Sequence, residues 1–242
     1  MSIDIAFTKN NLDTYLKELG REFRKLNGTK MPAEIVLIGG AAVLANYGFR
    51  ELTYDIDAII FASSAMKEAI NHVGDKMGLP NGWLNANFQK TSSFSYKLLE
   101  VSVYYKTFSN ILTIRTVTGE YLIAMKLMSG RQYKNDLSDI VGILWEHQKN
   151  DNPISRDVIN KAITILYGDK ATIPPISQKM IDDAFINRDY EDVYNKVRTN
   201  EKQAKEILLD FDKTYMSELK SVNINRIIEQ AKQKREKEYG AL

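Results

Sequence analysis

The chain has 242 residues, of which 44% are hydrophobic and 26% charged, a composition typical of a folded protein with a substantial core. Lys and Arg outnumber Asp and Glu by only 33 to 31, so the overall charge does not indicate a dedicated nucleic-acid binder. The absence of cysteine excludes disulfides, thiolate metal sites and cysteine nucleophiles, and no apolar run reaches the ~20 residues that span a bilayer. We therefore expect a cytoplasmic protein with no membrane partner.

The first half of the chain predicts alternating helices and strands. Apolar residues recur at three- and four-residue steps from Leu12 to Leu26, which predicts an amphipathic helix ending near Gly28. The other elements predicted before residue 119 are strands at 33–38 and 54–62, helices at 41–47 and 64–77, and β-rich segments at 94–106 and 111–117.

Helices are predicted from residue 119 onward. Apolar residues from Leu137 to Trp145 repeat at helical spacing, Ser155 is placed to cap the next helix, and Ile173-Pro174-Pro175 indicates a linker. Polar amphipathic helices are predicted at 177–184, 189–219 and 222–238. The expected fold class is α/β (α+β), with a core at 1–118, a helical extension at 119–170 and a C-terminal helical unit at 171–242.

Two glycines and two aspartates form the strongest chemical pattern in the sequence. One apolar run ends at Gly39 and Gly40, and the next contains Asp55 and Asp57. Because strand residues alternate between two faces, these carboxylates project together from Cα atoms roughly 6–7 Å apart. That spacing suits divalent metal and the transfer of phosphoryl or nucleotidyl groups.

The glycines fit the same chemistry. Backbone N–H groups at a strand-to-helix turn form an anion site, and the missing Cβ lets a phosphate approach. Gly48 is placed to end the short helix that follows. Taken alone, a Gly-Gly is usually a turn and an Asp-x-Asp a solvated strand edge; it is their combination within apolar sequence that favours a site.

The stretch Gly39-Gly40, Arg50, Thr53 and Asp55-Ile56-Asp57 resembles the signature of a known superfamily. In the DNA polymerase β-type nucleotidyltransferases, a Gly-Gly or Gly-Ser turn precedes a strand carrying Asp-hydrophobic-Asp. The resemblance implies a mixed sheet with flanking helices, in which residues 119–170 complete the active site.

A second stretch, residues 120–127 followed by Arg131, Asp136 and Asp139, is similar to the toxin-type branch of this superfamily. That branch contains the AbiEii-like nucleotidyltransferases of type IV toxin–antitoxin systems and their uncharacterised relatives. Together the two stretches extend the resemblance over residues 33–147.

The resemblance implies Mg²⁺ (or Mn²⁺) as cofactor and a nucleoside triphosphate as substrate. It assigns Asp55 and Asp57 to the metal and to catalysis, and the nucleotide to Gly39, Gly40, Arg50, Thr53 and Lys126. From the residues alone, Arg50 could equally be a plain loop arginine and Thr53 a plain strand threonine.

Lys126 lies in a helix that is apolar nearly all round, where a lysine is seldom buried without a partner. Either its ammonium pairs with Asp136 or Asp139, or it contacts the nucleotide phosphates, and we prefer the second interpretation. Asp136 is our choice for the further active-site aspartate, although either aspartate could instead offset the dipole of a helix N-terminus.

Glu100 is the possible third metal ligand, because many superfamily members place a third carboxylate on a later strand. Alternation along residues 98–104 also allows it to face solvent without a catalytic role. The metal would then depend on Asp55 and Asp57, with substrate phosphates and water, which magnesium tolerates.

The expected function is transfer of a nucleoside monophosphate to an acceptor hydroxyl. By resemblance, the acceptor is a tRNA end or a protein, and the protein is the toxin of a type IV system with a cognate antitoxin. One alternative is a transferase that modifies a small molecule such as an aminoglycoside. Another is a catalytically degenerate module that binds nucleotide or a partner.

Overall fold

The structure, a computed structural model, describes residues 5–131, 134–214 and 224–239. Its strands are β1 (Phe7–Thr8), β2 (Ala33–Leu37), β3 (Leu52–Thr53), β4 (Ile56–Phe61), β5 (Leu84–Asn85), β6 (Ser102–Phe108) and β7 (Leu112–Val117). Its helices are α1 (Lys9–Asn27), α2 (Gly39–Asn46), α3 (Ala65–Met77), α4 (Gly119–Ser129), α5 (Asp136–Lys149), α6 (Arg156–Tyr167), α7 (Pro175–Asn187), α8 (Tyr190–Thr214) and α9 (Ile224–Tyr239).

The main sheet has the strand order β5-β4-β2-β7-β6. Strand β2 runs antiparallel to β4 and parallel to β7, while β1 and β3 form a separate small sheet. Residues 35–37 of β2 are buried without alternation, as expected for a central strand covered on both faces. The mixed sheet with helices in the C-terminal part confirms the predicted fold class.

The first predicted helix is confirmed, including its end. Along α1, Leu12, Leu16, Leu19 and Phe23 are buried, and the helix packs against α3. Gly28 has φ +69°, a backbone conformation that favours glycine, and its N–H donates to the Arg24 carbonyl at 2.9 Å.

The prediction of a β-rich segment from residue 94 was wrong for its first part. Residues Tyr96–Leu98 form a 3₁₀ turn, and β6 begins only at Ser102. The buried Ser95 hydroxyl accepts from the Lys97 N–H and donates to the Leu166 carbonyl at 2.6 Å. These side-chain bonds draw the backbone away from a sheet ladder.

Two predicted boundaries were also wrong. Helix α2 ends because Tyr47 is extended, while the Gly48 N–H donates to the Glu146 carboxylate at 2.8 Å instead of closing the helix. Pro175 begins α7 and is not part of a linker, since proline is tolerated in the first helical turn.

Helices of the C-terminal part pack onto the region that carries the predicted site. Helix α4 packs against α5 and α6, α5 packs against α8, and the core extends without interruption as far as Tyr194 on α8. The predicted helices at 189–219 and 222–238 are helical over 190–214 and 224–238, and residues 215–223 lie outside the described ranges. In the described ranges no helix is long and apolar enough to cross a membrane.

Candidate active site

One cavity of about 660 Å³ brings together residues from both stretches singled out in the sequence. From the first stretch it is lined by Gly39, Gly40, Arg50, Thr53, Asp55 and Asp57, and from the second by Lys126, Arg131, Asp136 and Asp139. Residues 89 positions apart, such as Arg50 and Asp139, therefore face one space.

Asp55 and Asp57 stand at the start of β4, with Asp55 just before the strand and Asp57 its second residue. The neighbouring strand β5 pairs Asn85 with Asp57, and the Asn85 side chain also hydrogen-bonds to that carboxylate. Burial and the charge of Asp55 raise the pKa of Asp57, although Lys134, Arg131 and the Asn85 bond oppose this.

These two carboxylates fit a divalent cation. Both face the cavity, and the pKa of Asp57 is raised, first by burial and then by the charge of Asp55. Within the described ranges, no group of three or more His, Cys, Asp or Glu residues is arranged to hold a metal. Mg²⁺ accepts one or two carboxylates when substrate phosphates and water complete its octahedron.

The Gly-Gly turn lies directly beside the aspartates. Gly39 begins α2 with φ +56°, and a Cβ on it would lie 3.7 Å from Oδ2 of Asp57. Ile38, the residue before the helix, supplies no side-chain cap to the first N–H groups of α2. Uncapped N–H groups at a helix N-terminus suit an anion.

Gly40 is required for a second reason that the sequence did not reveal. A Cβ at this position would lie 2.7 Å from Oγ1 of Thr53 and 2.8 Å from a guanidinium nitrogen of Arg50. Only glycine lets both side chains approach the turn this closely. Thr53, which is buried, donates to the backbone carbonyl of Asp55 at 3.3 Å and so helps fix the start of β4.

Beside the turn lies an ionic cluster, defined as Arg50, Lys126, Arg131, Asp136 and Asp139. Its lysine and aspartates are buried, whereas Arg131 is partly exposed. The Lys126 ammonium lies 2.6 Å from Oδ2 of Asp139 and 3.2 Å from Oδ1 of Asp136. Asp136 also accepts from Nε of Arg131 at 2.8 Å, and Asp139 pairs with Arg50. Each carboxylate therefore has two cationic partners.

The neighbouring cations favour the ionised form of Asp136 despite its burial. Lys126 is 6% exposed, and Asp136 and Asp139 are each 3% exposed. Burial alone would raise the pKa of Asp136, but the charges of Lys126 and Arg131 outweigh it and lower that pKa to about 2. Lys126 is ion-paired with both aspartates, as the first interpretation expects. It also lines the cavity, and its contact with nucleotide phosphates stays a prediction. Arg50 is not a plain loop arginine.

Glu100 is not brought to the cavity, and its proposed place as a third metal ligand needs correction. It precedes β6 instead of lying within a strand, its side chain is 66% exposed, and it pairs with Lys97 at 3.1 Å. An exposed carboxylate paired in this way is typical of a solvated surface.

The cavity is also lined by residues that sequence reasoning did not assign to the site, among them Asn85, Lys90 and Lys134. Asn85 lies on a two-residue strand, which is too short to show periodicity. The lysines carry no local pattern that separates them from ordinary surface lysines.

Residues 14–168 match a family model of nucleotidyltransferases, a range that contains every residue lining the cavity. The family is the nucleotidyltransferase of unknown function DUF6036, and the chain belongs to it. This supports the superfamily expected from the sequence but does not distinguish its toxin-type branch. No curated protein and no solved structure matches the chain.

Proposed function

We propose that the protein is a metal-dependent nucleotidyltransferase that moves a nucleoside monophosphate from an NTP to an acceptor hydroxyl. The observation that carries the proposal is the single cavity shared by Asp55, Asp57, the Gly39-Gly40 turn and the ionic cluster. Its volume of about 660 Å³ lies in the usual range for small-molecule and cofactor sites.

The proposed reaction forms a bond between the acceptor oxygen and the α-phosphorus and breaks the bond from that phosphorus to the β-phosphate bridge. Pyrophosphate leaves, and the proton of the acceptor hydroxyl passes to water. Asp55 and Asp57 would hold Mg²⁺ (or Mn²⁺), which would offset negative charge on the reacting phosphate oxygens. The N–H groups at Gly39 and Gly40 would donate hydrogen bonds to the triphosphate at the N-terminus of α2.

The ionic cluster supplies positive charge mainly from buried side chains, since the side chains of Lys126 and Arg50 are 8% and 12% exposed, whereas that of Arg131 is 38% exposed. Three cations, Arg50, Lys126 and Arg131, face two carboxylates, so the cluster has one net positive charge. Lys90 and Lys134 add two more cations to the cavity lining. A site with this balance suits a phosphate chain, because partial pairing orients the cations while leaving a positive potential.

Within this class, we propose that the protein is a cytoplasmic toxin of the type IV kind, controlled by an antitoxin, with a tRNA end or a protein as acceptor. The support is the likeness of residues 120–139 to the toxin-type branch. Growth arrest on expression, abolished by Asp55→Asn, would support this role, and unimpaired growth with an active enzyme would favour a small-molecule acceptor.

The test of the enzymatic proposal incubates pure protein with each labelled NTP, Mg²⁺ and total RNA or lysate. Asp55→Asn and Asp57→Asn keep the side-chain shape but remove charge from the cation site, so labelling should collapse while the fold survives. Asp169→Asn, in an exposed loop, is the matched control. Equal labelling by all four proteins would refute the assignment.

A further inference from the structure

Helix α5 begins with a turn that its own sequence does not cap. Asn135, the residue before the helix, makes no side-chain cap hydrogen bond. The first N–H groups of a helix need acceptors from elsewhere, and burial makes an unmet donor costly. Residues 136–139 of this turn are all buried.

The missing acceptor comes from α8, 64 residues further along the chain. Oε1 of Glu201 accepts from the N–H of Leu137 and from the N–H of Ser138, each at 3.1 Å. Glu201 is itself 6% exposed. It lies outside the range that matches the nucleotidyltransferase family.

The turn that Glu201 caps is the turn that carries Asp136 and Asp139. These aspartates hold Lys126 from one side, while Arg131 and Arg50 pair with them from the other. Fraying of one helical turn would therefore displace both carboxylates and release cations that line the cavity.

We propose that Glu201 is a positioning residue for the nucleotide site, which caps α5 from α8 and so holds the ionic cluster in place. The role depends on the proposed nucleotidyl transfer. It makes the C-terminal helices part of the active-site architecture and not only an appendage to the core.

The surroundings of Glu201 also shift its pKa, which makes the pH dependence of nucleotide affinity a second test of its role. Burial, together with the negative charges of Asp139 and Asp136, raises the pKa of Glu201 to about 7, while the hydrogen bonds from Ser138 and the nearby charge of Arg198 favour its ionised form. Added negative charge beside the cluster should weaken the binding of a polyanion. Nucleotide affinity should therefore fall as pH rises through this range.

The test measures binding of each NTP with Mg²⁺ by calorimetry, together with transfer, for the parent and three variants. Glu201→Ala removes the acceptor and should weaken binding about ten- to a hundred-fold. Glu201→Gln keeps an oxygen for both N–H groups and should restore most of the affinity without the pH step. Glu206→Ala, an exposed glutamate on the same helix, is the matched control and should behave as the parent.

The nucleotide's own phosphate also titrates near neutral pH, so the difference between parent and Glu201→Gln isolates the glutamate. If Glu201→Ala does not fold, Glu201→Asp, which keeps the charge but is too short to cap, replaces it. The amide shifts of Leu137 and Ser138 in NMR should titrate in the parent and not in Glu201→Gln.

Parent-like binding by folded Glu201→Ala would overturn the positioning role while leaving the proposed function intact. Failure of the parent itself to bind or transfer any NTP would overturn the proposed function, and with it this role.

Discussion

Replacement of Lys126 by Met is the sharpest test of the ionic cluster. Met keeps most of the apolar stem and removes the ammonium that lies 2.6 Å from Asp139 and 3.2 Å from Asp136. Any change in stability or binding then reports mainly the loss of one buried charge.

The magnitude follows from what the carboxylates retain. Removing one partner of a buried ion pair typically costs ~3–5 kcal/mol, because the other charge is stranded. In this variant Asp136 retains its ion pair with Arg131, and Asp139 retains its ion pair with Arg50. We therefore expect a smaller loss, ~1–3 kcal/mol, which corresponds to a fall in Tm of ~2–12 °C for a chain of this size.

The net charge of the cluster falls from one positive charge to zero in this variant, so nucleotide affinity should fall ~10-fold or more. Urea unfolding measures the free energy, and calorimetry with Mg²⁺ and each NTP measures the affinity. Lys161→Met, an exposed lysine on α6, controls for the change of side chain. A large fall in Tm with unchanged affinity would refute the reasoning and make Lys126 a core ion pair only.

Three further predictions concern other residues of the site. Gly40→Ala places a Cβ 2.7 Å from Thr53 Oγ1 and should destabilise the fold by ~1–3 kcal/mol. The control Gly74→Ala, on α3, has its nearest contact at 3.5 Å and should be neutral or stabilising, so equal effects of the two variants on urea unfolding would contradict this prediction. Burial raises the pKa of Glu201 from 4.5 to about 7, so the folded state retains a proton that the unfolded chain releases in this interval, and the parent loses stability as pH rises. Glu201→Gln should therefore gain stability relative to the parent between pH 4.5 and 7, by at most ~3 kcal/mol. A difference in Tm between parent and variant that does not change with pH would contradict this prediction. Asp57→Asn should weaken Mn²⁺ binding measured by EPR while Asp136→Asn leaves it largely intact, and equal losses would move the metal into the ionic cluster.

The features that sequence alone predicted are local ones. Asp55 and Asp57 are two residues apart at the start of β4, so the alternation of extended backbone already predicts that their carboxylates lie together. The amphipathic pattern of α1 and the glycine that ends it are also contained within about twenty residues. In these cases local spacing and turn chemistry are sufficient to predict the structure.

What could not be predicted depends on contacts between distant segments. The Arg50–Asp139 pair joins residues 89 apart, and the bond from Ser95 to Leu166 that replaces the expected strand joins residues 71 apart. Neither partner has a pattern that identifies the other. The requirement for glycine at position 40 also depends on distant contacts, because it comes from the packing of Arg50 and Thr53 as well as from the turn itself.

The four carboxylates of the cavity divide into two pairs with different surroundings. Asp136 and Asp139 have Lys or Arg nitrogens as partners, whereas the ion pairs found within the described ranges do not include Asp55 or Asp57. The pKa values of Asp136 and Asp57 shift in opposite directions for this reason, down where cations dominate and up where burial and Asp55 dominate. We infer that the two pairs have different roles, and that the first pair, Asp136 and Asp139, orients cations for the phosphates. The second pair has no ion-pair partner among the described residues, which would leave its carboxylates available to a divalent cation.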